Sequence, residues 1–419
     1  MFHELQSRPE SMNPRPRLLF LAQTLPFPPD AGVHIRTYNI MKLLSREYDI
    51  SALCFFRKTE RPTSRHVRES VAGLEQFARV QAFPIPQEHS RARLIEDHLK
   101  SVMLGRAYTR FAYESKEFRN ALETLLATES FELAHVDSLD LVAYLPMLKG
   151  IPVVCVHHNV ESALLERRAA TSGGVRGKYL TFQATLTEKE EIAWCPRVAL
   201  NAAVSEADRA QLQALVPTAK FVVVPNGVDI DEYRPAVGLQ QSGIVFVGGY
   251  SWEPNREAME FFARDVLPRI RARHPSVTVT WAGRAPAAVM QKYRDQYGIE
   301  LTGYLDDIRP IVQRSACYIA PLKSGGGTRL KILDAWAMGK AVVSTTVGCE
   351  GLEASDGRNI LVRDTAEAFS DAVISLLGDP SLRDAIGHGA RKTAEDFYDW
   401  EVIGKPMLRS YKALHQQSR

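Results

Sequence analysis

Three consecutive glycines followed by Thr328, Arg329 and Lys331, in CYIAPLKSGGGTRLKILDAWAMG, are the residues of this chain best suited to hold an anion. Gly325, Gly326 and Gly327 let the backbone approach a ligand closely, and the free N–H groups of a helix expected from Thr328 attract negative charge. The guest this predicts is a phosphate or pyrophosphate. Arg329 and Lys331 fall in the first helical turn, where each positive side chain opposes the helix dipole by roughly 0.3–1 kcal/mol unless an anion sits there. Asp334, three residues after Lys331 on the same face, either accepts hydrogen bonds from a ligand hydroxyl or pairs with Lys331. The block is neither a G-x-x-x-x-G-K-S/T loop nor a G-x-G-x-x-G fingerprint, which weakens simple NTPase and dinucleotide readings.

Three further loops follow predicted strands, where ligands of open α/β sheets bind. In PFPPDAGVHIRTYN, Gly32 opens a helix and brings backbone N–H groups toward an anion, although the same residues are ordinary turn chemistry. In VVCVHHNVES, a buried strand runs into His157, His158, Asn159 and Glu161, which reads either as a donor to a ligand or leaving group or as a capping cluster. Adjacent histidines point to opposite sides of an extended chain, so at most one faces a ligand and a metal site built from both is not expected. In VFVGGYSWEPN, Gly248 and Gly249 precede an aromatic residue and Asn255, placed to cap the next helix.

The elements that must position these loops are short strands alternating with helices, which predicts parallel sheets covered on both faces. Leu18–Ala22 starts the pattern, followed by a helix over about 33–45. DISALCFF, FELAHV with a helix near Leu139, IPVVCVHHN and VALNAAVS continue it. Pro225, Asn226, Gly227 and Pro235 break the periodicity, and the alternation restarts near Gly243 with IVFVGG, a helix over about 255–273, VTVTWAG, a helix over 287–297, CYIAPL, AVVSTTV and NILV. The expected division is a disordered lead over 1–15, an N-terminal domain over 16–225, a linker over 226–242, a second domain over 243–395 and a helical tail over 396–419.

Length and composition agree with two folded domains: 419 residues, 45% hydrophobic and 24% charged. The net charge of +3 makes nucleic acid an unexpected partner. Five cysteines without metal-like spacing read as buried thiols of a reducing compartment, and no apolar run approaches the roughly 18–20 residues of a membrane span. The N-terminus lacks the apolar core of a signal peptide, so a cytoplasmic location is expected. Between Arg57 and Arg119, 13 Lys or Arg outnumber 8 Asp or Glu, with the apolar positions of LIEDHLKSVML at helical spacing. That segment reads as an amphipathic helix pair covering the first sheet, or as a surface resting on an anionic membrane.

Taken in order, PPDAGVHIRTYNIMKLLS, HNVES, AAVSEADRAQL, VPNGVD, VGGYSWEPN and SGGGTRLKILDAWAMGKAVVSTTVGCEGL resemble the retaining nucleotide-sugar glycosyltransferases of the GT-B fold, the family 4-like or group 1 enzymes that build polysaccharides, lipids and modified metabolites. The resemblance runs from Leu18 to about Tyr411. It implies two Rossmann-like domains facing each other across a cleft, the acceptor side N-terminal and the donor side C-terminal, with the C-terminal helix packing back on the N-terminal domain. Gly325, Gly326, Gly327 and Thr328 would bind the donor diphosphate, with Arg329 and Lys331 as its positive partners and Gly32 lining the same cleft. Asp334 stands at the second glutamate of the family's E-x7-E motif and would contact the ribose. Gly326 replaces the first, removing a family contact to the sugar ring. His158 aligns with the histidine of the HN-x-E loop and would face the transferred sugar as the catalytic candidate, with Asn159, Glu161, Gly248, Gly249 and Asn226 as further cleft residues. After the first strand of the second domain, GGYSWEPNR lacks the lysine many relatives use for the pyrophosphate.

The implied reaction transfers a sugar, with retention, from a UDP-, GDP- or other nucleoside diphosphate sugar to a hydroxyl acceptor, a lipid-linked one among the candidates. No metal or other cofactor is expected, and the departing phosphate itself helps deprotonate the acceptor. The alternatives are a nucleotide-sugar epimerase on the same fold and a non-catalytic nucleotide-sugar-binding protein.

Overall fold

Every residue of RLLFLA after Arg17 is buried, and the run forms β1 (Arg17–Ala22) at the centre of a seven-stranded parallel sheet. The computed structural model of the chain describes residues 15–30, 32–59, 63–236, 238–239, 241–325 and 329–417. The lead expected over 1–15 therefore lies almost wholly outside the described residues, as do Gly326, Gly327 and Thr328.

The first sheet adds β2 (Asp49–Phe56), β3 (Ala78–Pro84), β4 (Leu133–Val136), β5 (Val153–His157), β6 (Leu200–Ala203) and β7 (Phe221–Val223) in the order β3-β2-β1-β4-β5-β6-β7. The second contains β8 (Ile244–Val247), β9 (Val279–Ala282), β10 (Ile299–Leu301), β11 (Cys317–Ala320), β12 (Val342–Ser344) and β13 (Leu361–Val362), ordered β10-β9-β8-β11-β12-β13. β1 pairs in parallel with both β2 and β4, and β8 with β9 and β11. In each sheet the chain therefore reverses its direction of winding beside its first strand, the switch point beyond whose strand ends parallel α/β sheets bind their ligands.

The chain divides into two compact units. The first comprises the described residues up to Ala202, Leu212–Val222 and those from Leu408; the second comprises Ala203–Gln211 and Val223–Met407. The segment 226–242, expected as a linker, is grouped with the second unit, and the final helix Trp400–Gln417 ends in the first. There the Tyr411 hydroxyl meets His135 Nδ1 at 2.7 Å and Lys412 pairs with Glu47 at 2.9 Å. Five free cysteines are all buried, and among the described residues no helix is long and apolar enough to cross a membrane.

Three local expectations are corrected. The stretch 57–119 is not a helix pair alone: it contains the edge strand β3 between the helices Ser64–Leu74 and Arg91–Leu104. The helix expected near Leu139 is two single turns, Leu139–Leu141 and Leu145–Met147. The helix expected over 255–273 starts at Glu253 and passes through a widened turn at Phe262–Val266. Pro268 lacks an N–H and its ring crowds the carbonyl four residues back, which accounts for the widening.

Candidate functional site

The switch point of the first unit lies between the loops after β1 and β4, with the loop after β5 beside them. Gly32 begins the helix Gly32–Leu44, which carries no acidic residue in its first turn. One turn in, Thr37 donates its hydroxyl proton to Asp137 Oδ2 at 2.6 Å. Asp137 is the first residue after β4 and is completely buried. Burial alone would raise its carboxyl, but His158 and His135 beside it outweigh that and hold it below the usual carboxylate range. The buried Arg36 guanidinium adds its charge: burial lowers it to about 10, against the pull of Asp137, so it stays protonated at neutral pH.

His158 Nε2 approaches Asp137 Oδ2 at 3.6 Å, an electrostatic contact longer than a hydrogen bond. An ionised Asp137 favours the proton on that nitrogen. On the other side of the same carboxylate, His135 Nε2 lies 3.4 Å from Oδ1. With Nε2 protonated toward Asp137, its Nδ1 accepts from the Tyr411 hydroxyl. Burial lowers the pKa of His135, with Asp137 opposing. The adjacent His157 points the other way: it is buried, bonded to Asn201 Oδ1 at 2.9 Å and lowered to about 4 by burial. It is therefore a neutral core residue, as alternation along β5 requires.

Beyond His158, Asn159 donates to Glu161 Oε1 at 3.1 Å, and Glu161 opens the helix Glu161–Thr171. A small pocket beneath this loop is lined by His158, Asn159, Glu161, Asp140, Glu190 and Glu191, among others. Asp140 is pushed up to about 6, first by burial and then by Glu161. Glu191 is 1% exposed and accepts from the Ser162 hydroxyl at 2.5 Å and from the Ser162 N–H at 3.3 Å. Burial pushes its carboxyl up to about 7. The start of the helix behind His158 is thus clamped by a buried acid on the helix Gly174–Trp194.

In the second unit the switch point lies between the loops after β8 and β11. Gly325 has φ +107, and a Cβ there would sit 3.1 Å from Trp252 and 3.2 Å from Pro254. Glycine is therefore required by both conformation and space, and the β8 and β11 loops are in contact. Arg329 is 7% exposed, stands at the N-cap of the helix Leu330–Ala337, reaches the Val347 carbonyl at 3.3 Å and lies over the Trp252 ring at 5.6 Å. Lys331 Nζ pairs with Asp334 Oδ2 at 3.1 Å, so of the two roles open to Asp334 the pairing is formed. Gly248 lies so near Gly283 that a Cβ on Gly283 would run into the Gly248 carbonyl.

Asn255 is corrected: it does not cap its helix but sits inside the first turn and donates back to the Gly249 carbonyl at 2.8 Å. Asn226 is half-buried in the second unit, next to Gly227, where a Cβ would strike Trp400.

The sites bring together what the sequence separated. Gly32, Asp137, His158, Asn159 and Glu161 gather in the first unit, and Gly248, Gly249, Gly325, Arg329, Lys331 and Asp334 in the second. Sequence reasoning missed Asp137, Asp140 and Glu191. The position of Asp137, first after a fully buried strand, was the signal that could have found it.

Comparison with known proteins supplies the family. Residues 31–232 match the model of "Glycosyltransferase Family 4" and residues 241–379 that of "Glycosyl transferases group 1". The chain belongs to the GT-B glycosyltransferases.

The chain is similar to the phosphatidyl-myo-inositol mannosyltransferase of Mycobacterium tuberculosis, 31% identical over 51% of this chain and 59% of that protein. It is also similar to the glycogen synthase of that organism, 25% identical over 48% of this chain and 50% of the synthase. It thus spans less than two thirds of the length of these curated relatives. Among solved GT-B structures, Anabaena HepE in complex with UDP superposes with a TM-score of 0.66 at 14% identity, covering 95% of this chain and all of that one. Sucrose-phosphate synthase from Thermosynechococcus elongatus gives 0.66 at 15% identity, covering 96% and 100%. At such identities the likeness is one of fold.

Proposed function

We propose that this glycosyltransferase-family chain moves a sugar, with retention, from a nucleoside diphosphate sugar to a hydroxyl acceptor, and that it needs no metal. The observation that carries the reading is the second unit's switch point, where Gly325 and the buried Arg329 cation meet around Trp252 at the helix start at Leu330. Charge developing on a departing diphosphate needs N–H groups and cations already in place, and these residues supply both without reorganisation.

In the first unit, His158, its Nε2–H held toward Asp137, presents Nδ1 to accept from a hydroxyl of the transferred sugar. Asp137 keeps that imidazole oriented, and Glu191 anchors the helix behind it. The leaving phosphate takes the acceptor proton on the same face of the sugar ring, which is what retention without a carboxylate nucleophile requires. Family membership supports retention, and the UDP held by HepE supports a nucleoside diphosphate donor. The mannosyltransferase relative supports an acceptor attached to a lipid.

The test is incubation with UDP- and GDP-sugars and a panel of lipid-linked and free hydroxyl acceptors, with and without EDTA, followed by assignment of the anomeric centre by NMR. Retained configuration with EDTA present is expected. Inversion, a requirement for metal, or conversion of the nucleotide sugar without acceptor, as an epimerase would give, overturns the proposal.

A further inference from the structure

The helix Arg91–Leu104 is built the wrong way round for a protein surface. Its inward face is polar: Asp97 and Ser101 are completely buried. Asp97 pairs with Arg93 at 2.7 Å, and Ser101 donates to the Arg106 carbonyl at 2.7 Å while accepting from Gln183 Nε2 at 2.8 Å. Its outward face is apolar. Ile95, Leu99, Val102 and Met103 follow the i, i+4, i+7, i+8 spacing of a single helical stripe, with Ile95 61% and Met103 81% exposed. Leu104 extends the stripe at its C-terminal end.

The neighbouring helix adds to the same surface. His98 meets the Tyr179 hydroxyl at 2.5 Å and Ser101 meets Gln183, so Arg91–Leu104 and Gly174–Trp194 run side by side in one direction. That register carries Val175, 86% exposed one turn before Tyr179, to the N-terminal end of the stripe. The exposed Arg176 and Lys178 come with it, beside the exposed Arg91. Across residues 91–110 and 164–178, six exposed Lys or Arg (Arg91, Arg106, Arg167, Arg168, Arg176 and Lys178) stand against two exposed acids, Glu96 and Glu166. This excess decides the sign of what covers the stripe: a second copy would set like charges against each other, whereas an anionic surface is complementary.

We propose that this face, the outward side of Arg91–Leu104 with the start of Gly174–Trp194, docks on an anionic lipid bilayer. The helix lies in the interface, with Ile95, Leu99, Val102 and Met103 among the acyl chains and Arg91, Lys100, Arg176 and Lys178 at the head groups. The proposal rests on the glycosyltransferase reading only for what the docking serves, which is access to an acceptor held in the bilayer.

The test is vesicle flotation with phosphatidylcholine alone and with about 30% phosphatidylglycerol, an anionic content that gives a surface potential of physiological size. Binding to the anionic vesicles alone is expected. Raising the salt to about 0.5 M, which shortens the Debye length to about 4 Å, should weaken it. The double variant Ile95→Glu, Met103→Glu should lose at least about tenfold in partitioning, and Arg176→Gln with Lys178→Gln should lose several-fold. Because these side chains are exposed, the melting temperature should stay unchanged, and nucleotide binding by the second unit should survive. Docking and transfer can therefore fail separately. Equal binding to both vesicle types, binding to neither, or glutamate variants that bind as wild type would overturn the proposal. So would a concentration-dependent dimer that Ile95→Glu abolishes.

Discussion

Glu191→Gln isolates the clamp behind His158 and carries a pH signature that the structure fixes. A carboxyl whose ordinary value is 4.5 is pushed up to about 7 by burial on folding. Below pH 4.5 the group is neutral in both folded and unfolded chains and its full contribution is present. Between pH 4.5 and 7 only the unfolded chain ionises, so stability falls progressively, and about 3 kcal/mol is lost once pH passes 7 and the folded carboxyl ionises too. Glutamine keeps the shape and can still accept from Ser162, so it removes the titration while sacrificing part of the hydrogen bonding, about 1 kcal/mol. The variant should therefore be slightly less stable than wild type at pH 4.5 and more stable by about 2 kcal/mol at pH 8.5. Hydrogen exchange of the amides in Glu161–Thr171 and Gly174–Trp194, compared at each pH, reads the difference locally, where the swing amounts to about a hundredfold or more in relative protection. A variant whose stability relative to wild type is the same at both pH values would refute the reasoning, because Glu191 would then be ionised or neutral throughout.

Three further outcomes follow from the same geometry. Asp137→Asn should lower kcat by about tenfold, the scale of one hydrogen bond of about 1.4 kcal/mol to the transferred sugar, while nucleotide affinity measured by calorimetry stays within error; a loss confined to KM would contradict the role assigned to Asp137. Gly325→Ala must accommodate φ +107 and a Cβ 3.1 Å from Trp252, so nucleotide binding should fall at least tenfold, with about 1–3 kcal/mol lost from stability; wild-type affinity would remove the loop from the site. Arg329→Ala should weaken diphosphate binding more than Lys331→Ala, because Lys331 is already paired with Asp334 and is more exposed; the reverse order in a titration would reassign the cation.

The parts of the fold that were legible in the sequence are those whose burial leaves no alternative. β1, β5, β8 and β11 are continuous apolar runs between turn residues, and each was read from that pattern. β3 was not read, because an edge strand with half-exposed positions, ARVQAFP, lacks both a continuous apolar run and a clean alternation. The glycine and histidine loops were legible because their residue types are out of place after buried strands. Asp137 and Glu191 were not, since what distinguishes them is burial and partners up to 100 residues away, as with Thr37. Asn255 shows the opposite failure: its type suggested a cap, but the helix starts two residues earlier and the amide turns back to Gly249.

The central claim is that the second unit holds a nucleoside diphosphate without a metal, and calorimetric titration of UDP, GDP, ADP and dTDP with EDTA present tests it most directly. Micromolar binding of one nucleotide, lost on Arg329→Ala in a chain that remains folded, is the predicted result. Binding that appears only when a divalent cation is added, or that is indifferent to Arg329, would contradict it.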